Sequence, residues 1–415
     1  MTQRRIRAVL MRGGTSRGLF FLRADLPSDP QLRDRVILAA FGGGDPYGRQ
    51  IDGIGGATST TSKVVIVGPP SVPDADVDYT FGQVSVTKPL IDYGGTCGNL
   101  TAAIGPFAIE ERLITGTDPL TPVRIWQTNT RKRIVAHIPT SGGLPQIEGE
   151  YAIDGVPATG AQIVLEFLSP GGAMTRSALP TDRPSEPLGV PGLGDMTVSL
   201  VDAVNPVVFV RAEDLGLAGV EMPDQVDADA GLLARLEAIR AHAAVRMGIA
   251  RTPEEATAES PGVPKIAFVS PPATYASTRG STVAADAIDC VGRIMSMGRL
   301  HRSYAVSGAS CTAAAALIEG TVVHGVVRPG ASLRPGSGQA NERTVRVGHP
   351  AGVIEVGAKV ERRDGGWVVE KVITRRTARR LMEGSVLVPA SLWPIESRTV
   401  KTVQTVKTSN RGRVQ

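Results

Sequence analysis

Residues 94–104 read GGTCGNLTAAI, and residues 307–317 read SGASCTAAAAL. In both stretches small residues lead to a hydroxyl side chain, then to a cysteine, and then to a run that favours a helix. This internal similarity, or echo, predicts two related halves, each with a cysteine at the mouth of a helix, that is, at its N-terminus. Backbone amides and the helix dipole favour negative charge there, so a thiol loses its proton more easily and a carboxylate binds beside it.

The three cysteines differ in what their surroundings predict. Cys97 lies among Gly, Thr and Asn, which favours a proton carrier; a small buried residue that caps a helix is the alternative. Cys311 precedes an alanine run, and both interpretations stay open there. Cys290 lies in the apolar context AIDCVG and is expected in the core. Three cysteines give no disulfide framework, which is typical of a reducing compartment.

A second candidate segment is the loop QIDGIGGATSTTSK at residues 50–63. Its glycines let the backbone approach a ligand closely, and its hydroxyl groups with one ammonium suit carboxylates. Lys63 stands where the loop enters the apolar residues 64–67, so partial burial is expected to lower its pKa. A Ser/Thr-rich surface loop with a solvated lysine is the alternative. A Ser-x-x-Lys hydrolase motif does not fit, because Thr60 occupies the serine position.

Composition indicates a globular, strand-rich chain of two domains. The chain has 415 residues, of which 42% are hydrophobic, 20% charged and only 4% aromatic. Its 48 glycines and 30 prolines favour many short turns between strands. No P-loop and no dinucleotide-binding glycine turn is present, and the five histidines are scattered. We therefore expect no nucleotide or other cofactor and no catalytic metal.

The formal net charge of +5 is concentrated at the C-terminal end. Residues 395–415 hold five basic side chains and one acid, so the other 394 residues are close to neutral. This predicts a flexible, solvated tail, with a weak polyanion contact as the alternative, and no nucleic-acid surface. Neither a signal-peptide pattern nor an apolar run of about 18 residues is present. We therefore expect a cytoplasmic protein without a membrane contact.

Periodicity and turn residues predict the main elements. Strands are expected at 6–10, 19–22, 63–67, 77–81, 123–128, 134–138, 163–167 and 196–202, and a hairpin at 353–362 and 367–374. Helices are expected at 32–41, 229–247 and 377–382, and a last strand at 386–388. The Pro- and Gly-rich residues 181–195 are expected to link two domains.

Three motifs resemble the PrpF family, which includes 2-methylaconitate cis-trans isomerase, methylitaconate delta-isomerase and 4-oxalomesaconate tautomerase. They are RGGTSRGLFF at 12–21, the loop at 50–63 and GGTCGN at 94–99. The resemblance implies the α+β diaminopimelate epimerase-like fold. That fold has two pseudo-symmetric domains, each a curled, mostly antiparallel sheet around a central helix, with the active site in the cleft between them. The domains would be 1–188, with a return strand at 385–394, and 189–384, followed by the tail at 395–415.

The resemblance also implies the site residues. The family's catalytic lysine and cysteine fall on Lys63 and Cys97, 34 positions apart. The other motif positions, with weaker matches in the second half, imply a substrate-binding set of Arg12, Thr15, Ser16, Thr60, Thr61, Ser62, Thr96, Gly98, Asn99, Asn205, Ser296, Met297, Gly298, Ser310 and Cys311. One stretch departs from the family: residues 174–182 read MTRSALPTD where many relatives have TGKLLPTG, which bears on the domain junction and on substrate choice.

These residues predict a cofactor-independent isomerase that moves a proton within a small unsaturated di- or tricarboxylate, by an allylic shift or a cis-trans change. Lys63 and Cys97 would carry the proton while backbone amides hold the carboxylates. Two alternatives stay open: a two-thiol amino-acid racemase that uses Cys97 and Cys311, and a carboxylate-binding protein without catalysis. A homodimer is expected from the fold alone.

Overall fold

The structure is a computed structural model that describes residues 2–327, 334–335 and 342–393. The strands of the first half are β1 (Gln3–Gly13), β2 (Ser16–Leu22), β3 (Lys63–Gly68), β4 (Val77–Val84), β5 (Ile91–Asp92), β6 (Leu120–Gln127), β7 (Lys132–Ser141), β8 (Leu144–Pro145) and β9 (Ile163–Leu168). Its helices are α1 (Pro30–Phe41), α2 (Gly98–Thr101) and α3 (Ile104–Glu110).

The second half follows the same plan. Its strands are β10 (Glu186–Val190), β11 (Gly194–Ala203), β12 (Asn205–Arg211), β13 (Lys265–Ser270), β14 (Tyr275–Ala276), β15 (Thr282–Val283), β16 (Cys290–Ser296), β17 (Arg299–Leu300), β18 (Arg334–Pro335), β19 (Arg343–His349), β20 (Gly352–Arg363) and β21 (Gly366–Arg376). Its helices are α4 (Pro223–Ala228), α5 (Ala230–Arg246), α6 (Pro253–Glu259), α7 (Val306–Leu317) and α8 (Val322–Val326). A last strand, β22 (Ala378–Pro389), returns to the first half.

Strand pairing repeats between the halves. The first row is β22-β1-β2-β3-β4-β6-β7-β9, and the second is β10-β11-β12-β13-β16-β19-β20-β21. Along both rows the pairs run antiparallel, antiparallel, parallel, antiparallel, parallel, antiparallel and antiparallel. The last strands of the rows, β9 and β21, pair antiparallel and join the halves. The predicted α+β fold of two pseudo-symmetric halves is confirmed.

Each row of strands curls around a central helix. In the first half this helix is α2 continued by α3, and in the second it is α7, whose residues from Val306 to Ala316 are all buried. A helix that is buried on every side needs cover on every side, and the curled sheet supplies it. Among the described residues no helix is both long and apolar enough to cross a membrane.

Most predicted elements are confirmed, because local signals and packing agree there. Helix α1 ends at Gly42, which adopts the left-handed conformation at φ 64°. Helix α5 begins after Asp229, whose side chain accepts a hydrogen bond from the amide of Leu232. The hairpin of β20 and β21 turns at Asp364 and Gly365, both with positive φ.

The helix predicted at 377–382 is wrong. Residues 378–382 lie in β22, which pairs with β1 from Gly13 opposite Ala378 to Gln3 opposite Pro389. Backbone pairing with an edge strand of the first half overrides the weak local preference for a helix. The predicted return of the chain to the first half is confirmed, but it begins at Ala378 rather than at residue 385.

The predicted linker is more ordered than its composition suggests. Residues Glu186–Val190 form β10, which pairs with β11 and crosses the proposed domain boundary at residue 188. The boundary itself stays a prediction. The basic tail at 395–415 lies outside the described residues.

Candidate active site

The N-termini of the two central helices meet at a cleft between the halves. α2 and α7 approach so closely that a Cβ atom at Gly98 would lie 2.6 Å from Cγ1 of Val306. Both residues line the cleft, which has a volume of about 500 Å³ with the solvent at its mouth. The first residues of β2, β3, β12 and β13 line it as well. Both halves therefore contribute to one cavity.

Cys97 is the residue before α2 and acts as its N-cap. Its Sγ accepts a 3.4 Å hydrogen bond from the amide of Leu100, and the residue is 7% exposed. The hydroxyl of Tyr79 lies beneath it and donates to the Cys97 carbonyl at 3.4 Å. The amide directed at the sulfur holds the thiol in place at the start of α2. The prediction that Cys97 lies at a helix mouth is confirmed.

Lys63 opens β3 and is 7% exposed. Its Nζ donates to Oε1 of Gln83 at 2.6 Å and lies 5.1 Å from the ring centroid of Phe81. The Gln83 amide is itself oriented, because its Nε2 donates to the carbonyl of Ser62 at 2.9 Å. Burial lowers the pKa of Lys63, and the nearby Cys97 acts in the opposite direction. A buried amine with a lowered pKa gives up its proton more readily than a solvated lysine does.

The second half adds five polar side chains to the cleft, which are Asn205, Lys265, Ser296, His301 and Ser307. Asn205 accepts a hydrogen bond from the amide of Thr96 at 3.3 Å, which ties the halves together beside Cys97. Burial, with Lys63 and Lys265 nearby, lowers the pKa of His301 to about 3, so this imidazole is neutral at ordinary pH. Its Nδ1 accepts from the backbone, so the ring proton is on Nε2.

Comparison with known proteins agrees with this geometry. The family model described as PrpF protein matches residues 3–389. The chain belongs to the PrpF family. It is 46% identical to 3-methylitaconate isomerase of Eubacterium barkeri over 93% of this chain and 98% of that protein. It is 44% identical to 2-methyl-aconitate isomerase of Shewanella oneidensis with the same coverage, and 40% identical to 4-oxalomesaconate tautomerase of Pseudomonas putida over 95% and 99%. This PrpF-family chain is an isomerase.

Solved structures agree on the fold. The crystal structure of methylitaconate-delta-isomerase matches with a TM-score of 0.73 and 46% identity, covering 94% of this chain and 97% of that one. A hydroxyproline epimerase from Agrobacterium vitis matches with a TM-score of 0.51 at 15% identity over 93% of each chain, which shows the shared epimerase-like fold alone.

Nine of the residues predicted for the PrpF-family site line the cleft. They are Ser16, Lys63, Thr96, Cys97, Gly98, Asn99, Asn205, Ser296 and Met297. Among them Ser16 is 3% exposed, and its Oγ has no hydrogen-bond partner among the described residues. An unpaired buried hydroxyl facing a cavity is a natural contact for a polar ligand. Their roles as substrate-binding residues stay a prediction.

Two predicted residues are held by the backbone or by their own loop. The guanidinium of Arg12 donates to the carbonyls of Gly14 and Thr377 at 3.1 and 3.0 Å, and so braces the β1–β2 turn. The hydroxyl of Ser62 donates to Oε1 of Gln50 at 2.6 Å. Neither side chain lines the cleft, and both hold the segments that carry the cleft residues.

Thr15 lies one layer behind the cleft. Its amide donates to Oδ1 of Asn99 at 3.2 Å, and its hydroxyl accepts from Nδ2 of Asn99 at 3.1 Å. The hydroxyl of Ser303 donates to Thr15 at 3.0 Å and continues the chain into the second half. Thr15 therefore positions Asn99, which does line the cleft.

The hydroxyl loop lies at the rim. The Thr58 hydroxyl hydrogen-bonds with those of Thr60 and Thr61 at 3.0 and 2.8 Å, so much of their donor capacity is used within the loop. Thr60 and Gly298 line an outer cavity of about 2010 Å³ that adjoins the cleft through Ser296. Thr60 and Gly298 border this outer cavity and do not line the cleft that holds Lys63 and Cys97.

The prediction that Cys311 lies at a helix mouth is wrong. It is the sixth residue of α7 and fully buried, and its Sγ donates to the carbonyl of Val201 at 3.3 Å. Burial raises its pKa, which makes it a poor proton carrier. The N-cap of α7 is Ala305, so the short sequence echo aligned the cysteines six residues out of register. Ser310 is buried on the same helix, away from the cleft.

Sequence reasoning missed Gln83, Asp92 and Lys265 as cleft residues. One signal was available for Lys265, because it opens the strand KIAFVS as Lys63 opens KVVIVG. Gln83 and Asp92 carry no local signal, since only strand pairing places them beside Lys63.

Proposed function

We propose that this protein catalyses a proton shift, allylic or cis-trans, on a small unsaturated di- or tricarboxylate, with Lys63 and Cys97 as the proton carriers. The observation that carries the proposal is that a helix-capping thiol and a buried amine line one cleft. Three relatives at 40–46% identity, named for methylitaconate, methyl-aconitate and oxalomesaconate, support the substrate class.

The chemistry follows from the two carriers. One removes a proton from a carbon next to the double bond, which leaves a dienolate whose charge spreads into a carboxylate. A proton then returns to the far carbon, or to the same carbon after rotation, so the substrate ends with the atoms it began with. The positive ends of the helix dipoles at the cleft stabilise the developing negative charge. The buried setting of Lys63 keeps bulk water away from the transferred proton.

The decisive experiment follows the proton in deuterated water. The purified protein is incubated with 2-methylaconitate, 3-methylitaconate or 4-oxalomesaconate, and NMR records isomerisation together with deuterium uptake. We expect at least one acid to exchange and isomerise. Cys97→Ser and Lys63→Ala should each lose exchange by about 10²- to 10⁴-fold, the usual worth of a general acid or base.

Two matched controls separate chemistry from folding. Cys311→Ser changes a buried thiol outside the cleft, and Lys359→Met changes a lysine that pairs with Glu370 on the surface. Both should keep near-normal turnover. Full exchange in folded Cys97→Ser and Lys63→Ala would refute the assigned roles, and loss of turnover in Cys311→Ser would favour a two-thiol mechanism instead.

The proposal includes a cytoplasmic location and a homodimer. The three free cysteines support a reducing compartment. Light scattering behind size-exclusion chromatography tests the dimer, since a mass near 43 kDa for the chain would mean a monomer.

A further inference from the structure

The cleft is built from three pairs of positions that the two halves place equivalently. Each pair has one member from each half: the first residues of β2 and β12, the first residues of β3 and β13, and the N-caps of α2 and α7. The pairs are Ser16 with Asn205, Lys63 with Lys265, and Cys97 with Ala305, and all six residues line the cleft.

Strand register supports the equivalence of the lysines. β2 pairs with β3 so that Leu19 lies opposite Val64, and β12 pairs with β13 so that Val208 lies opposite Ile266. Leu19 and Val208 each lie three residues after the start of their strand. Val64 and Ile266 each follow the lysine that opens the neighbouring strand. Lys265 is thus the counterpart of Lys63 across the pseudo-twofold axis.

Lys265 has a charge that no described residue neutralises by direct contact. It forms no ion pair within 4.0 Å among the described residues, and its Nζ makes a 3.4 Å hydrogen bond to the carbonyl of Gly262. The carboxylate of Asp92 is nearby, but it accepts from the amides of Gly94 and Gly262 at 2.7 and 2.9 Å. Burial, followed by the repulsion from Lys63, lowers the pKa of Lys265 to about 8. The ammonium form therefore prevails at neutral pH, and it is available to an incoming anion.

The counterpart positions then differ in chemistry. Beside Lys63 stands the Cys97 thiol, so that side of the cleft has two proton carriers. The equivalent cap of the longer helix α7 is Ala305, which has no ionisable group and lines the same cleft as Lys265. The amide end of α7 therefore opens into this cleft. A cation and a helix N-terminus together bind an anion. Without a proton carrier, they bind it and do not transfer a proton to or from it.

We propose that Lys265 binds a carboxylate of the substrate from the second half, while Lys63 and Cys97 act on the carbon skeleton from the first. This inference rests on the proposed function and deepens it. A substrate with two or more carboxylates would span the cleft, with one anchored at Lys265 and α7. Lys265 is then a specificity residue that selects polycarboxylates over monocarboxylates.

The test measures KM and kcat separately for Lys265→Met, using the acid that the wild-type protein turns over. We expect KM to rise about ten- to a hundredfold, the usual worth of a hydrogen bond to a charged group, and kcat to change much less. Lys265→Arg keeps the charge and should recover part of the affinity. Lys359→Met, on the surface, should match the wild type. A thermal melt checks that each variant is folded.

A second arm removes the charge from the substrate instead. Each mono-methyl ester of the same acid is assayed with the wild type and with Lys265→Met. Esterifying the anchored carboxylate should lower kcat/KM in the wild type relative to the free acid. In Lys265→Met this loss should be about tenfold smaller, because the lysine that binds the carboxylate is already absent. Equal losses for every ester in both proteins would overturn the inference, as would a fall in kcat with unchanged KM.

The two proposals fail in different ways. If the wild type turns over none of the unsaturated acids, the proposed function is wrong. If the wild type is active but Lys265→Met has the same KM and the same ester dependence, only the role of Lys265 is wrong.

Discussion

The two helix mouths of this protein share a backbone plan and differ in one side chain. In the first half the N-cap of the central helix is Cys97, and in the second half it is Ala305. The lysine beside each mouth is present in both halves. The two halves thus have a lysine at equivalent positions but only one thiol at the helix caps. On the proposed roles, the side with the thiol does the chemistry and the other side holds the substrate.

Substitutions at the two helix caps should show the largest difference in kcat between the halves. Cys97→Ala should lower kcat by about 10²- to 10⁴-fold, because it removes a proton carrier. Ala305→Ser at the equivalent position should change kcat only about twofold, because no proton passes there. Steady-state kinetics of both variants, with deuterium exchange as a second readout, checks the contrast. Similar losses in both would show that the two mouths are equivalent after all.

A second way to sharpen the comparison uses the pH dependence of binding. The ammonium of Lys265 is lost as pH rises through about 8, so KM should rise up to tenfold per unit above that pH. The titratable or charged groups around it are Lys63, Asp92, Cys97, Arg240 and His301. Lys265→Met should lack this rise and show a high KM at every pH. A KM profile in the variant that parallels the wild type would assign the titration to another group.

A third prediction concerns how Lys63 is held in the first half. Gln83→Leu removes the acceptor at 2.6 Å and should lower kcat about tenfold, because the amine is no longer oriented. Gln83→Glu places a carboxylate there, which stabilises the ammonium and raises the pKa of Lys63. In a plot of kcat against pH, the limb that reports the titration of Lys63 should then move to higher pH by about 1–3 units. An unmoved limb in a folded variant would remove Gln83 from this role.

A substitution at the contact between the N-termini of α2 and α7 should have a smaller effect, on stability. In Gly98→Ala the new methyl group would lie 2.6 Å from Val306 and 3.2 Å from the amide of Ser307. We expect a loss of about 1–3 kcal/mol in the free energy of unfolding, the usual range for overpacking. Chemical denaturation measures it. Unchanged stability would mean that the halves separate more readily than their packing suggests.

The smallest expected effect is at the buried thiol. Cys311→Ser keeps a donor for the Val201 carbonyl, so we expect unchanged kcat and a stability loss of about 1 kcal/mol. Activity and a denaturation curve from one preparation check both. A large loss of kcat would return Cys311 to the mechanism.

Sequence reasoning was strongest where the functional residues lie close together in the chain. The motif around Cys97 and the entry of Lys63 into a strand were both readable, since capping and burial depend on near neighbours. It failed where the partner is distant in the chain. The residues of β22 were predicted as a helix in part because their partner, β1, lies more than 360 residues away. The cysteine echo failed because an alanine, not a cysteine, occupies the equivalent cap.

The sequence by itself determined a cap-forming Cys97 and a lysine at the start of an apolar strand. Those features follow from short-range preferences of the backbone and from the alternation of apolar residues. Only the tertiary structure decided that Lys265 lines the same cleft as Lys63, that Ala305 is the counterpart of Cys97 and that Cys311 is buried. Those relations depend on which strands pair and on how the sheet curls, and strand pairing over long distances leaves no local trace in the residues involved.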